Sequence, residues 1–395
     1  MNEATRKYIY EHRSDNVKHL AFSAHPAEVD LSYALTQITG RQSIKNKIPS
    51  WYENDHIIYP QHLSLEQCSS ESTAKYKASL VKGTSFIDLT GGFGVDCAFL
   101  SSRFQSAIYV ERQQSLCEIA SENFKSIGLK NIQVICNESI HFLQNTPPVN
   151  CIYIDPARRY ESGSKIIAIQ DCEPDVIALK DLLLEKAETV MVKLSPMLDV
   201  SIALQALPET TELHIISTTG ECKELLFILK KGLTENPMIT CVNLLKSGEI
   251  QLFSFYKQEE QNCTADFTPQ PEKFIYEPNA SVLKSGAYKL TACRFNLKKL
   301  HPDSHLYTSS ELIQHFPGRT FELISIFSFN KKDIKENLKE IKQANISIRN
   351  FPGSVDELRK KLKLKEGGDI YLFATTLSDG KKVLLKTKKS QSPWN

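Results

Sequence analysis

Residues 86–96 read Phe-Ile-Asp-Leu-Thr-Gly-Gly-Phe-Gly-Val-Asp. A short apolar run closes on Asp88. Thr90, Gly92 and Gly94 follow at every second position, and a helical pattern starts at once. Glycines at such a turn let the backbone approach a ligand, because no Cβ intrudes. The helix beyond presents free N–H groups toward it. Seventeen residues after Gly94, a second apolar run closes on Glu111. An acid at the end of the second strand of a βαβ unit is where a ribose hydroxyl pair is held. The combination reads as a site for a nucleoside-containing cofactor. No Gly-Lys-Ser/Thr follows the turn, which excludes a Walker loop, and Asp88 would repel a pyrophosphate. A carboxylate there suits a cationic ligand that carries an amino acid, and S-adenosylmethionine is such a ligand.

The same order continues downstream. Ile132–Ile135 is a short apolar strand followed by Asn137 and Glu138. Asn150–Ile154 runs directly into Asp155-Pro156-Ala157-Arg158-Arg159, and Thr189–Lys193 into Leu194-Ser195-Pro196. Ligands bind at the carboxyl edge of a doubly wound sheet, and Asp88, Glu111, Glu138, Asp155 and Lys193 are all expected on that edge. Asp155 is the candidate to accept a proton, or only a hydrogen bond, from a substrate nucleophile. Pro156 fixes the turn. Arg158 and Arg159 offer fork-shaped donors for a phosphate or a base edge; the alternative for them is an ion pair with Glu161, Asp171 or Glu173.

These residues need elements to position them. From about 81 to 260 strands and helices alternate, which predicts a Rossmann-like, doubly wound α/β sheet. Leu213–Ser217 and Glu224–Lys230 read as its antiparallel edge hairpin, and Ile239–Leu245 with Ile250–Tyr256 as a further hairpin. Residues 1–80 read as mostly helical, with Ser64 and Gln67 forming a capping box for a helix running to about Val81. Gln258–Pro271 is polar, carries two prolines and reads as a linker. From Arg319 onward the pattern is strand, helix, strand, helix, strand, strand, a small α/β sandwich whose last turn is Ser378-Asp379-Gly380.

The chain of 395 residues carries a net charge of only +2. That balance is uneven: residues 319–395 hold 17 Lys and Arg against 9 Asp and Glu, net +8, and the rest carries −6. Such segregation reads as a basic module for phosphate-backbone binding, with Lys360, Lys361 and Lys363 clustered on one predicted helix and its end. The plain alternative is the solvated face of amphipathic helices. The ten cysteines show no Cys-x-x-Cys spacing and read as small buried residues in a reducing, cytoplasmic setting, not as a metal site. No apolar run is long enough to span a membrane.

With these motifs in hand, the chain resembles the class I S-adenosylmethionine-dependent methyltransferases. Asp88-x-Thr90-x-Gly92-x-Gly94 is similar to their first motif, Glu111 to the ribose-binding acid and Glu138 to the group near adenine. Asp155-Pro156-Ala157-Arg158 is similar to their fourth motif, with Ala157 in place of a second proline and Arg158 in place of an aromatic ring. The stretch after the next strand has no Cys, which argues against thiol-mediated methylation of carbon. Over nearly its whole length the chain resembles bacterial methyltransferases with a ferredoxin-like segment and a C-terminal THUMP-like domain, here expected at 272–318 and 319–391. Residues 65–74, including Gln67, resemble the segment that folds over the methionine end of the cofactor. Tyr276-Glu277-Pro278-Asn279 and Arg349-Asn350-Phe351-Pro352 resemble fixed points of the later segments. The resemblance implies S-adenosylmethionine as cofactor and RNA as substrate. A small-molecule or protein methyltransferase, and a binding protein that retains the cofactor fold, stay open.

Overall fold

The apolar runs of the first half are buried over most of their C-terminal halves in the four inner strands, as parallel strands covered on both faces require, and only half-buried in the outermost one. They form β1 (Gly83–Asp88), β2 (Phe104–Glu111), β3 (Ile132–Cys136), β4 (Val149–Ile154) and β5 (Ala187–Leu194). Coordinates come from a computed structural model that describes residues 1–158 and 169–391. Four later strands are β6 (Thr210–Thr218), β7 (Glu221–Leu229), β8 (Met238–Leu244) and β9 (Ile250–Tyr256). The sheet order is β9-β8-β6-β7-β5-β4-β1-β2-β3. The chain starts in the middle, runs outward through β2 and β3, then returns to β4 on the other side of β1. That is the doubly wound arrangement expected, with its switch point between β1 and β4.

The chain divides into two compact units, Met1–Leu213 with Glu224–Glu235, and His214–Lys223 with Asn236–Asn395. In the first, β7 lies antiparallel to β5, with Lys193 opposite Leu226. The β6–β7 hairpin thus follows the parallel strands in the antiparallel sense that the sequence predicted, but it is not outermost, because β8 and β9 continue the order beyond it. The Glu224–Leu229 side chains are all buried, which requires cover on both faces of β7. Strand β9 alternates exposed and buried residues instead, as a strand with one solvated face does.

Two other expectations need correction. The helix expected from Ser64 to about Val81 is two helices, His62–Gln67 and Glu71–Ser79. Cys68 is extended between them, and the Ser70 hydroxyl restarts the second by accepting the Thr73 N–H at 3.3 Å. The linker expected over 258–271 opens with a helix, Lys257–Asn262, to which Glu259 contributes by accepting the Tyr256 N–H at 2.8 Å.

The second unit holds a seven-stranded sheet built from β10 (Phe274–Pro278), β11 (Lys298–Lys299), β12 (Tyr307–Ser309), β13 (Gly318–Ser328), β14 (Asn345–Arg349), β15 (Ile370–Thr376) and β16 (Lys382–Lys389). Its order is β11-β12-β10-β13-β16-β15-β14. Helices Lys331–Leu338 and Val355–Leu362 fall between β13 and β14 and between β14 and β15, as the pattern predicted. Leu338, Leu358 and Leu362 pack with Ile346, Leu372 and Leu384.

Candidate active site

Strands β1 and β4 pair in parallel, with Asp88 beside Tyr153, so the first and fourth motifs emerge side by side at the switch point. The turn after β1 is held from three directions. Asp88 Oδ1 accepts the Thr90 N–H at 3.0 Å. Glu111 Oε2, at the end of β2, accepts the Gly92 N–H at 3.0 Å, and its Oε1 accepts the Gln113 N–H at 2.9 Å. The Tyr109 hydroxyl donates to the Gly92 carbonyl at 2.6 Å. Gly91 lies so close to the Tyr109 ring that a Cβ would come within 2.1 Å of it. Gly94 takes φ +86° as the N-cap of the next helix, Val95–Ser101, a conformation that L side chains rarely adopt. The sequence pointed to Gly92 and Gly94; the lack of room at Gly91 shows only once β2 is placed beneath the turn.

Asp155 follows β4. Its N–H donates to Thr90 Oγ1 at 2.7 Å, so one threonine ties the two motifs together. Its carboxylate pairs with Lys193 Nζ at the end of β5, where β4 and β5 are in parallel register. Burial pulls the Lys193 ammonium down, but Asp155, Glu224 and Asp96 outweigh it and hold the group above its ordinary value. Lys193 is thus held as a cation, paired with Asp155. Asp88 behaves in the opposite way. It is 1% exposed, and burial pushes its carboxyl well up, with Asp96, Asp155 and Glu111 adding to the rise.

These groups line a cavity of about 350 Å³, within the range of small-molecule sites. The cavity wall includes Gln67, Asp88, Thr90, Gly92, Gly94, Glu111, Glu138 and Asp155, so seven expected cofactor residues and the expected acceptor come together. Glu138 and Gln67 are exposed on the wall. Ile140 also lines it and is 44% exposed, an apolar surface that a planar base would cover. Pro156 is buried in the turn. The backbone of Arg158 pairs with Cys172 in a short antiparallel bridge, and Arg159 lies outside the described residues. Lys360, Lys361 and Lys363 are exposed in the second unit, on helix Val355–Leu362 and at its C-cap.

A buried ionic cluster under the cavity was not legible in the sequence. Lys77, fully buried, lies 2.8 Å from Asp96 Oδ1 and 3.1 Å from Glu224 Oε1, and donates to Ser69 Oγ at 2.7 Å. Ser69 and the Tyr153 hydroxyl each donate to Asp96 Oδ2 at 2.7 Å. Burial raises Asp96, but Lys77 and Lys193 outweigh it and hold the carboxyl low. Burial pushes Glu224 up, and its two lysine neighbours only partly offset that. The one local signal was an acid, Asp96, in the first turn after the glycines.

A Gly-rich turn over a carboxylate-bearing strand, at the switch point of a doubly wound sheet, defines a class I methyltransferase fold. Comparisons agree. Residues 40–160 match the profile of protein-L-isoaspartate(D-aspartate) O-methyltransferases, 274–317 a ferredoxin-like domain and 318–389 a THUMP domain-like family. A crystal structure of a candidate methyltransferase from Porphyromonas gingivalis W83 is 35% identical, covers 98% of each chain and superposes with a TM-score of 0.87. The protein-L-isoaspartate O-methyltransferase of Thermotoga maritima is 22% identical over 133 residues, 31% of this chain. The match spans 42% of that enzyme's length. The chain belongs to the family of the P. gingivalis protein: class I S-adenosylmethionine-dependent methyltransferases with a ferredoxin-like segment and a C-terminal THUMP-like domain. Among the described residues, no helix is long and apolar enough to cross a membrane, and no group of three His, Cys, Asp or Glu could hold a metal. None of the ten cysteines is in a disulfide.

Proposed function

We propose that this protein transfers a methyl group from S-adenosylmethionine to RNA in the cytoplasm, with Asp155 at the transfer point and the basic C-terminal domain holding the nucleic acid. The observation that carries the RNA assignment is the charge of the THUMP-like region, +8 from Arg319 to the end against −6 elsewhere. The cofactor supplies a methyl carbon on an excellent leaving group, so the protein's main tasks are positioning and proton handling.

The residues fit that division. Gly91 and Gly94 keep the turn free of side chains, Glu111 sits where ribose hydroxyls need an acceptor, and Ile140 and Glu138 line the wall beyond it. Gln67 closes the near side. Asp155, fixed by Lys193 and by the Thr90 hydroxyl, accepts a hydrogen bond or proton from the nucleophile. Lys193 holds that carboxylate in place through their ion pair. Pro156 sets the turn, and Arg158 with Arg159 meets the phosphate or base edge of the incoming strand.

The test is methyl transfer from tritiated cofactor to total RNA taken from cells that lack the protein. Label is expected in RNA, and nucleoside analysis then names the base. Asp155→Ala is expected to lower the rate by roughly 10²–10⁴, the range for a missing acid–base group, while cofactor affinity measured by calorimetry holds. A variant with full rate would reduce Asp155 to a structural residue. Label appearing in protein instead would favour a protein substrate, the reading that the match over 40–160 keeps in view.

A further inference from the structure

Two segments singled out in the sequence, 276–279 and 349–352, take no part in the transfer site. The C-terminal unit brings them together. Glu277 on β10 lies across from Arg319 at the start of β13, and Arg349 closes β14. The Glu277 side chain is 3% exposed, while those of Arg319 and Arg349 are 43% and 34% exposed. Glu277 Oε2 accepts hydrogen bonds from Nε of Arg319 at 2.9 Å and from its Nη2. Oε1 lies 2.6 Å from Arg349 Nη2 but outside hydrogen-bond alignment. Arg349 is fixed further by Nη1, which donates to the Ile348 carbonyl at 2.8 Å.

One carboxylate balances one guanidinium and leaves a positive charge over. Among the described residues, Nη1 of Arg319 and Nε of Arg349 donate no hydrogen bond. The nearby His305 adds no charge, because burial, then Lys299 and Arg349, push its imidazole down to about 4. An ion pair serving only to join β10 to β13 would be complete with Arg319 alone. The second, partly exposed guanidinium makes the cluster ordered without making it neutral. Planar N–H forks match phosphate oxygens, preorganisation lowers the cost of binding them, and a surplus of one positive charge complements the single negative charge of a phosphodiester.

We infer that Arg319 and Arg349, aligned by the buried Glu277, form a phosphodiester-binding site in the C-terminal domain for an RNA strand. This rests on the RNA reading above. The test uses the full chain and a labelled oligoribonucleotide with hydroxyls at both ends, titrated over a range of salt. Arg349→Gln leaves the neutral Glu277–Arg319 pair intact. It is expected to weaken binding by about tenfold, the scale of a charge-assisted hydrogen bond. It should also make the log–log salt slope shallower by about one. Glu277→Gln doubles the surplus charge and is expected to tighten binding and steepen the slope, even as it lowers the melting temperature. Arg349→Lys keeps the charge without the fork, so it should keep the slope and lose part of the affinity. Binding and slope unchanged in Arg349→Gln and Glu277→Gln, whatever their melting temperatures, would make the cluster purely structural and overturn the site while the RNA reading stands. A parent protein that ignores the oligoribonucleotide at low salt would overturn both.

Discussion

Glu111 does two things at once. Its carboxylate grips the Gly92 and Gln113 N–H groups, and in the proposed function its remaining lone pairs, at the end of β2, take the ribose hydroxyls. Removing it leaves one part-buried N–H donor, that of Gly92, and one exposed, that of Gln113, to find other partners, and removes the acceptor proposed for the nucleoside. Glu111→Ala is therefore expected to weaken cofactor binding by about 1–3 kcal/mol, the scale of an unpaired buried donor. Isothermal calorimetry measures it directly, and an unchanged affinity would remove the nucleoside from this position. Glu111, like Asp155, was readable in the sequence because strand ends announce themselves: an apolar run stops on an acid. Lys193 was readable as a residue of the same edge, but its pairing with Asp155 was not. That pairing depends on β4 and β5 being neighbours, which no local spacing states.

At the scale of elements, the ionic cluster around Lys77 ties the helix Glu71–Ser79 to the helix Val95–Ser101, to β4 through Tyr153 and to β7 through Glu224. Lys77→Met leaves Asp96 and Glu224 buried without the cation that contacts both directly, with only the more distant Lys193 remaining. A cost of about 3–5 kcal/mol is expected, as for breaking a buried pair from one side, read as a lower midpoint in urea unfolding. Little or no shift would mean that water or rearrangement replaces the ammonium. This cluster also marks the limit of sequence reading. The alternation of strands and helices gave the sheet and its switch point, because each element carries its own period. Lys77 sits in an unremarkable helix and Glu224 in a hairpin, and only tertiary packing gives them a common purpose. The edge moved for the same reason: no local spacing states that β8 and β9 continue the strand order beyond β6.

For the whole molecule, the uneven charge sets how affinity responds to salt. Phosphate binding releases counterions, so RNA affinity is expected to fall steeply as salt rises. Lys360, Lys361 and Lys363 are exposed together, and removing all three is expected to reduce the log–log salt slope by about three, one for each lysine that meets a phosphate. Binding assays from low to moderate salt check this, and a flat dependence in the parent protein would favour a small-molecule or protein substrate.

The place of Glu224 has a consequence for how the protein is made. Synthesis runs from the N-terminus, and Asp88, Glu111, Asp155 and Lys193 are all on the ribosome-exit side before residue 200. The carboxylate that completes the bed beneath them arrives later, on β7, after the chain has passed out through β6 and turned back. A nascent chain, or a gene fragment cut at residue 213, carries all four of these cavity and strand-end groups yet lacks one of the two acids that face Lys77. The catalytic unit is thus contiguous in space and interrupted in the gene, and its expression boundary lies past residue 235, not at the end of the last parallel strand.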